Sequence, residues 1–393
     1  MTTQYRTWPL PAVVPLAVLG PLDTPLSKGD GQSRMVSPLK NHDGWLAKLY
    51  QSPLGAGDAG RLDALIALPG AAREADRELL RTATSWPVAR ITGGAAETVG
   101  CVIPAAPAGY RFGIRTSAGR ATEKYLDIDW LARPGEALSA RAIPAPSDAE
   151  RLRVCRSVVA VAACLERHGI VYSDWSYSNT FWDPLAHTAF VIDVDGCGPA
   201  RVSNVFQPNW EDPLTARTVP ADGATDRYRV ALLVARCLTG EREVLRVLHA
   251  IAPAAARAGV PDAGEMLLDM LLAQERRLRP TLDSLLAALE GRSAIRMPVQ
   301  RMKLPALPAR PGGDPRATAG AATATAGPAA GPAAGAGAGT AAGPRLPPRP
   351  PAGARPGQSG SGMSQERKNL VITMSVVVAI LLVILVVGLA SSS

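Results

Sequence analysis

H-G-I-V-Y-S-D-W-S-Y-S-N-T-F-W-D-P-L-A-H-T-A-F-V-I-D-V-D-G-C-G, from His168 to Gly198, is the stretch on which the reading of this 393-residue chain turns. It holds Asp174 and Asn179 in a D-x-x-x-x-N spacing, then two short apolar runs, then Asp193. The runs Thr180–Trp182 and Ala189–Ile192 are rich in β-formers and flank Asp183-Pro184, a turn pair, so they predict a hairpin. A hairpin folds back on itself, which brings Asn179 and Asp193 to the same end of its strands, with Asp174 on the loop leading in. Two oxygen ligands beside a third carboxylate suit phosphoryl transfer from a magnesium nucleotide. Mg²⁺ prefers carboxylate and amide oxygens, and a nearby carboxylate orients the attacking hydroxyl.

These residues resemble the catalytic and metal-binding loops of the eukaryotic-type serine/threonine protein kinases, including the Hanks-type-like kinases of bacteria: H-R-D-x-x-x-x-N followed by D-F-G. The resemblance implies Asp174 as catalytic base, Asn179 as a catalytic-loop residue and Mg²⁺ ligand, and Asp193 as the main Mg²⁺ ligand. Tyr172-Ser173 stands in place of His-Arg, Ser176 where kinases usually have a lysine, and D-V-D in place of D-F-G. The plainer alternative is a solvated turn followed by an ordinary buried hairpin.

Only the roughly 300 residues before a low-complexity tail have the composition of a folded unit, enough for one two-lobed domain or two smaller ones. Abundant Ala, Pro, Arg and Gly point to a GC-rich, bacterial coding sequence. The formal net charge of +8 is concentrated, because residues 297–369 carry nine Lys/Arg against two Asp/Glu. The rest is near neutral and offers no basic face for nucleic acid. The five cysteines, Cys101, Cys155, Cys164, Cys197 and Cys237, have neither C-x-x-C spacing nor paired histidines, which argues against zinc. Their odd number fits reduced thiols in a cytoplasmic domain. No basic n-region followed by an apolar core opens the chain, so no signal peptide is expected.

Residues 1–25, proline-rich and apolar without a clear period, are expected to form an extended arm packed on the first lobe. In the following K-G-D-G-Q-S-R, Gly29 and Gly31 would let the backbone approach phosphates closely. Arg34 occupies the place of the third glycine of the kinase loop, and a plain hairpin turn is the alternative. Trp45–Tyr50 reads as a short strand with a lysine inside it, Lys48, costly unless its ammonium is paired or reaches water. The resemblance implies that Lys48 holds the α- and β-phosphates of ATP and pairs with a carboxylate on the next helix. Otherwise it is an edge-strand lysine facing water. That helix, about Ala59–Leu68, has no glutamate, so Asp63 is the candidate partner. Ser85–Ile91 and Thr98–Pro104 read as strands around Gly93-Gly94. The resemblance then places the hinge near Ile103–Ala106, with Ile103 and Ala105 offering backbone groups to adenine.

Residues 107–147 read as irregular, with 122–130 a helical or loop insertion. From Asp148 to His168 apolar residues recur at helical spacing, with Ser147 or Asp148 as cap and Gly169 as terminator. This long helix would deliver the chain into the catalytic loop, and His168 at its end reads as a dipole-favoured cation. Beyond Gly198, Glu211 resembles the glutamate of the kinase Ala-Pro-Glu element, and Arg279-Pro280 resembles the arginine that anchors it. Asp226-Arg227-Tyr228 opens an apolar helix, Val230–Leu238. Asp226 resembles the aspartate that holds the catalytic-loop backbone in kinases, or is a simple N-cap. The three in order favour a protein kinase over a choline- or aminoglycoside-type kinase. The small-molecule reading gains if Trp210–Pro213 does not pair with Arg279.

The expectation is an α+β, two-lobed, protein-kinase-like fold: an arm at 1–25, then a domain at 26–296. Its small β-rich N-lobe covers about 26–106 and its mostly helical C-lobe about 107–296. Residues 297–369 have few apolar side chains to bury and are expected to be a disordered, basic linker, on the order of 45 Å across if flexible. Its arginines would suit an anionic lipid surface. Leu370–Ala390 is an apolar run interrupted only by Thr373 and Ser375, and about 20 such residues span a bilayer. Arg367 and Lys368 precede it, so the positive-inside rule places the folded domain on the cytoplasmic face of the cell membrane. The expected activity is ATP- and Mg²⁺-dependent phosphorylation of Ser/Thr hydroxyls on protein substrates, with any external signal arriving through a membrane partner. The alternative is a nucleotide-binding pseudokinase acting as a membrane scaffold.

Overall fold

A six-stranded sheet forms the N-terminal lobe of the computed structural model, which describes residues 7–28, 33–203, 207–292 and 298–307. Its strands are β1 (Val13–Pro15), β2 (Ser27–Lys28), β3 (Ser33–Pro38), β4 (Trp45–Leu54), β5 (Ala89–Thr92) and β6 (Thr98–Pro104), in the spatial order β1-β5-β6-β4-β3-β2. Neighbours are antiparallel except β1, which runs parallel to β5. The period-2 alternation of β4 gives the lobe two faces. Trp45, Ala47 and Leu49 pack with Val14, Leu19, Ala89, Ile91 and Val102, and the arm covers this face, Trp8 meeting Trp45 edge-on at 5.2 Å. The alternate residues Leu46, Lys48 and Tyr50 share the other face, where Leu46 and Tyr50 pack with Cys101, Ile103 and Leu62.

Between β4 and β5 the chain forms two helices, α1 (Ala56–Ala71) and α2 (Glu74–Ala83). The first exceeds the expected 59–68 at both ends, with Pro69 in its last turn. The second has Glu74 and Asp76 in its first turn and Arg81 in its last, each complementing the helix dipole.

Strands β7 (Arg111–Arg115) and β8 (Ala121–Tyr125) follow β6 in the chain and form a separate hairpin. The expected insertion at 122–130 is therefore half strand and half a 3₁₀ turn, Ile128–Ala132. Tyr125 explains the strand: its ring stacks on Phe181 at 4.9 Å and its hydroxyl donates to the Ala106 carbonyl at 3.1 Å. After a short helix α3 (Gly135–Ser139) comes α4 (Asp148–Arg167). Its cap is Ser147, in a reciprocal capping box with Glu150. Gly169 at φ +66° ends it. Val154, Cys155, Val158, Val159, Val161, Ala162 and Leu165 are all buried, each larger side chain contributing about 1.5–3 kcal/mol of transfer free energy.

Strand β9 (Ile170–Val171) leads into the loop holding Asp174, and β10 (Thr180–Asp183) and β11 (Thr188–Val191) form the expected hairpin. Strand β12 (Gly198–Pro199) returns to pair with β9. Four helices complete the lobe: α5 (Gly223–Thr239), α6 (Val244–Arg257), α7 (Pro261–Leu272) and α8 (Leu282–Leu289). A β-rich lobe followed by a helical one is the two-lobed α+β arrangement expected from the sequence.

The domain boundary needs correction. Residues 298–307, placed in the linker by composition, pack back on the helical lobe. The Arg301 guanidinium meets Asp269 at 2.7 Å and Glu265 at 2.9 Å, and the Met302 amide donates to the Leu272 carbonyl at 2.6 Å. Arg301 with two carboxylate partners, together with a β-bridge to Ala273, fixes backbone that apolar content alone would leave loose. The rest of the linker and the apolar run 370–390 lie outside the described residues.

Candidate active site

Lys48 sits in the middle of β4 and is 6% exposed. Its ammonium lies 2.6 Å from Asp195 Oδ1 and 3.2 Å from Asp193 Oδ1. Burial alone would lower its pKa, but the Asp195 and Asp193 carboxylates outweigh desolvation and raise it, so the lysine stays charged. Asp63, expected as its helix partner, does not reach it. The Asp63 carboxylate accepts from Arg90 Nε at 2.7 Å, is half exposed, and serves to tie α1 to β5. The physical reason lies in the face α1 presents: Leu62, packed against Cys101 and Ile103, occupies the side toward Lys48.

Asp193 follows the hairpin directly and adopts φ +57°, a left-handed conformation that Asp tolerates better than most residues. Its side chain is 46% exposed, so only one oxygen is committed to Lys48. The hairpin brings Asn179 to the same end, the Ile192 amide donating to the Asn179 carbonyl at 2.9 Å. Asn179 Nδ2 donates to the Asp174 carbonyl at 2.9 Å and to Asp174 Oδ2 at 2.6 Å, which leaves Asn179 Oδ1 as an acceptor. Gln207 Nε2 donates to the other Asp174 oxygen. Burial raises the Asp174 pKa, with nearby Asp193 adding to the effect and the amide of Asn179 opposing it.

The backbone ahead of Asp174 is held from beneath. Both Asp226 carboxylate oxygens accept backbone amides, from Tyr172 at 2.7 Å and Ser173 at 2.8 Å. Asp226 is not an N-cap, since Asp222 takes that place with a capping box to Thr225. Burial pushes Asp226 up to about 6, although the two amides favour its anion. Ser173 carries φ +66°, and Arg229 donates to its carbonyl, fixing a conformation that a serine rarely keeps unaided. Tyr172 Oη donates to the Ile192 carbonyl at 2.6 Å, joining this loop to the hairpin. Ser176, at the position where kinases usually have a lysine, is buried and shares a hydrogen bond with Ser178.

The acid paired with Arg279 is Asp212, one residue beyond the expected Glu211. Two contacts of 2.7 Å join the guanidinium to both Asp212 oxygens, and both side chains are fully buried. Asp212 is buried, which raises its pKa, but Arg279 more than offsets this and holds it below the usual carboxylate range. Asp212 also accepts from the Leu214 amide and the Thr215 hydroxyl, contacts that a longer side chain one position earlier would not reach. Glu211 instead meets Arg217 at 3.5 Å near the surface.

Gly29 and Gly31 lie outside the described residues, between β2 and β3. Ile103 is on β6 as expected, its side chain buried against Leu62 and Cys101. The Ala105 amide donates to the Gly44 carbonyl at 2.9 Å. Pro104 has no N–H, so the rung that extends the β4–β6 ladder falls on Ala105. A concavity of about 790 Å³ beside Ala105, lined by Trp8, Trp45, Ile66 and Trp86 among others, shares no residue with the Lys48 cluster.

Asp195 is the functional candidate that sequence reasoning missed. Its signal was present: a lysine inside a strand, no glutamate on the facing helix, and a second aspartate two residues after Asp193. No protein-family model matches the chain. No curated protein matches it. Among solved structures it is similar to one titled "ROP18 kinase domain in complex with AMP-PNP and sucrose", at 13% identity and a TM-score of 0.45, over 69% of this chain and 78% of that one.

Proposed function

We propose that this chain is an ATP- and Mg²⁺-dependent protein kinase of the Ser/Thr type with a protein-kinase-like fold, tethered to the membrane by residues 370–390. The observation that carries the reading is the meeting of Lys48, from the sheet, with Asp193, at the end of the hairpin that also carries Asn179 and follows Asp174. A buried lysine kept charged at the mouth of a half-exposed carboxylate suits a polyphosphate better than a structural role. The residues fit Mg²⁺, since Asp193 keeps one oxygen uncommitted and Asn179 keeps Oδ1. Bound there, the ion would neutralise charge on the phosphates.

In this reading Lys48 orients the α- and β-phosphates. Asp174 positions the substrate hydroxyl and accepts its proton, and a raised pKa makes it a better acceptor. Asn179 and Gln207 each donate to one oxygen of Asp174 and so fix the orientation of its carboxylate. Pairing of Asp212 in Trp210–Pro213 with Arg279 supports a protein substrate over a small molecule.

A second reading, the nucleotide-binding pseudokinase scaffold, is favoured by Ser176, which brings no cation to the transferred phosphate, and by the double amide hold on Asp174. The full chain, purified in detergent, is to be incubated with labelled Mg-ATP and a generic protein substrate beside Asp193→Asn. Transfer of label by the wild type and its loss in the variant is the expected result. Absence of label with ATP-dependent thermal stabilisation, itself lost in the variant, selects the pseudokinase.

A further inference from the structure

After β11 the backbone turns at Asp193 into a single 3₁₀ turn, Val194–Gly196, and this turn separates two aspartates that a linear reading would treat alike. Val194 plugs into the core, fully buried, and the turn carries Asp195 inward to β4 while the Asp193 side chain stays half exposed. Both Asp195 oxygens are committed. Oδ1 takes the Lys48 ammonium at 2.6 Å, and Oδ2 accepts the Tyr50 hydroxyl at 3.0 Å. Lys48 and Tyr50 are two residues apart on one strand and so point to the same face. One carboxylate is thereby clamped to one strand at two points.

Helix α1 offers nothing in competition. Asp58 pairs with Arg61 at 2.8 Å and Asp63 with Arg90 at 2.7 Å. The cation Arg61 lies against the segment after the turn, its Cδ so near Gly198 that a Cβ there would come within 2.7 Å. Both acids of the helix thus have arginine partners of their own, which leaves the Lys48 ammonium to the carboxylates beyond the hairpin.

We infer that Asp195 is the positioning residue of Lys48, taking the part that a helix carboxylate would otherwise play, and that this frees Asp193 to face the nucleotide. The inference rests on the kinase reading above. The two aspartates then act differently, the buried one setting where the ammonium stands and the exposed one meeting the phosphates and the ion. Asp195 is not itself a metal ligand in this assignment, since its two oxygens are already taken by Lys48 and Tyr50. Lysine placement then follows the hairpin and its turn, with no dependence on the disposition of α1.

The test uses the full chain in detergent and two readouts. The first is the rate at which acetic anhydride modifies Lys48, followed by peptide mass spectrometry without nucleotide. The second is the affinity for a fluorescent ATP analogue with Mg²⁺. Asp195→Asn is expected to raise the Lys48 modification rate and to weaken analogue binding, each by about tenfold or more, as befits loss of a charge-assisted hydrogen bond. Tyr50→Phe is expected to move both in the same direction by a smaller factor, and it serves if Asp195→Asn does not fold. Asp63→Asn is expected to leave both at wild-type values. A wild type that binds the analogue, with both readouts unchanged in Asp195→Asn or both shifted in Asp63→Asn, overturns the assignment while leaving the kinase reading intact. A wild type that binds no analogue overturns the kinase reading and this assignment with it.

Discussion

At residue scale, a shift of one position separates a structural acid from a surface one. Asp212 and Glu211 are adjacent, yet Asp212 is fully buried in a two-point contact with Arg279 while Glu211 is 35% exposed beside Arg217. Removing one member of a buried pair strands the other charge, at a cost of about 3–5 kcal/mol. Asp212→Ala is therefore expected to lower stability by that amount in urea unfolding, and Glu211→Ala by less than about 1 kcal/mol. Equal losses would contradict the assignment. The acid–arginine pair was legible in the sequence as a kind of contact, but its register was not. Which of two neighbouring carboxylates turns inward depends on the Leu214 and Thr215 contacts, which spacing does not reveal. The same limit applies to Lys48. That a buried lysine needs an acid follows from composition, but the acid came from a turn 147 positions away and not from the nearest helix.

At the scale of elements, the hairpin was readable because β-formers flank a turn pair, and α4 because its period and caps agree. Helix α2 was not anticipated, although its Glu74-Ala-Asp-Arg opening is a fair N-terminal signal. It matters because Asp76 ties it to the end of α4. Its carboxylate meets Arg167 at 2.6 Å, Arg73 at 3.0 Å and His168 at 3.2 Å. Burial would raise the pKa of Asp76, but Arg167 and Arg73 lower it to about 2. A depressed carboxylate stabilises the fold fully above its unfolded pKa near 4, and the contribution disappears as pH falls from about 4 toward 2. Wild type should thus exceed Asp76→Asn in stability by about 1–2 kcal/mol at pH 7, and the gap should close on going from pH 4 to pH 2. A gap independent of pH over that window would argue that the ion pairs contribute little. With two arginines on it, the nearby grouping of Asp76, Cys164 and His168 has no charge to spare for a metal ion.

At the scale of the whole molecule, a β-rich first lobe and a helical second lobe were expected from the family resemblance, while periodicity by itself picked out only three of the helices, α1, α4 and α5. The end of the folded part was not foreseen, because Arg301 and backbone pairing with residues 272–274 anchor residues that composition assigns to a linker. The proposal that residues 370–390 anchor the protein belongs to this scale as well, and it rests on sequence. The full chain is expected to float with lipid vesicles in a density gradient, and a chain ending at Asn369 to remain at the bottom, with weaker salt-dependent retention if the linker arginines touch anionic lipid. Flotation of both chains in high salt would place the membrane contact elsewhere.

The arm before β2 adds a strand to the outer edge of β5 and covers one face of the sheet with Trp8, Leu10 and Leu16. An edge strand with unpaired amides and carbonyls is an invitation to another chain. By occupying that edge with Val13–Pro15, the protein leaves β5 closed to sheet extension by a second copy, so removal of the arm should open that edge and make the chain self-associate.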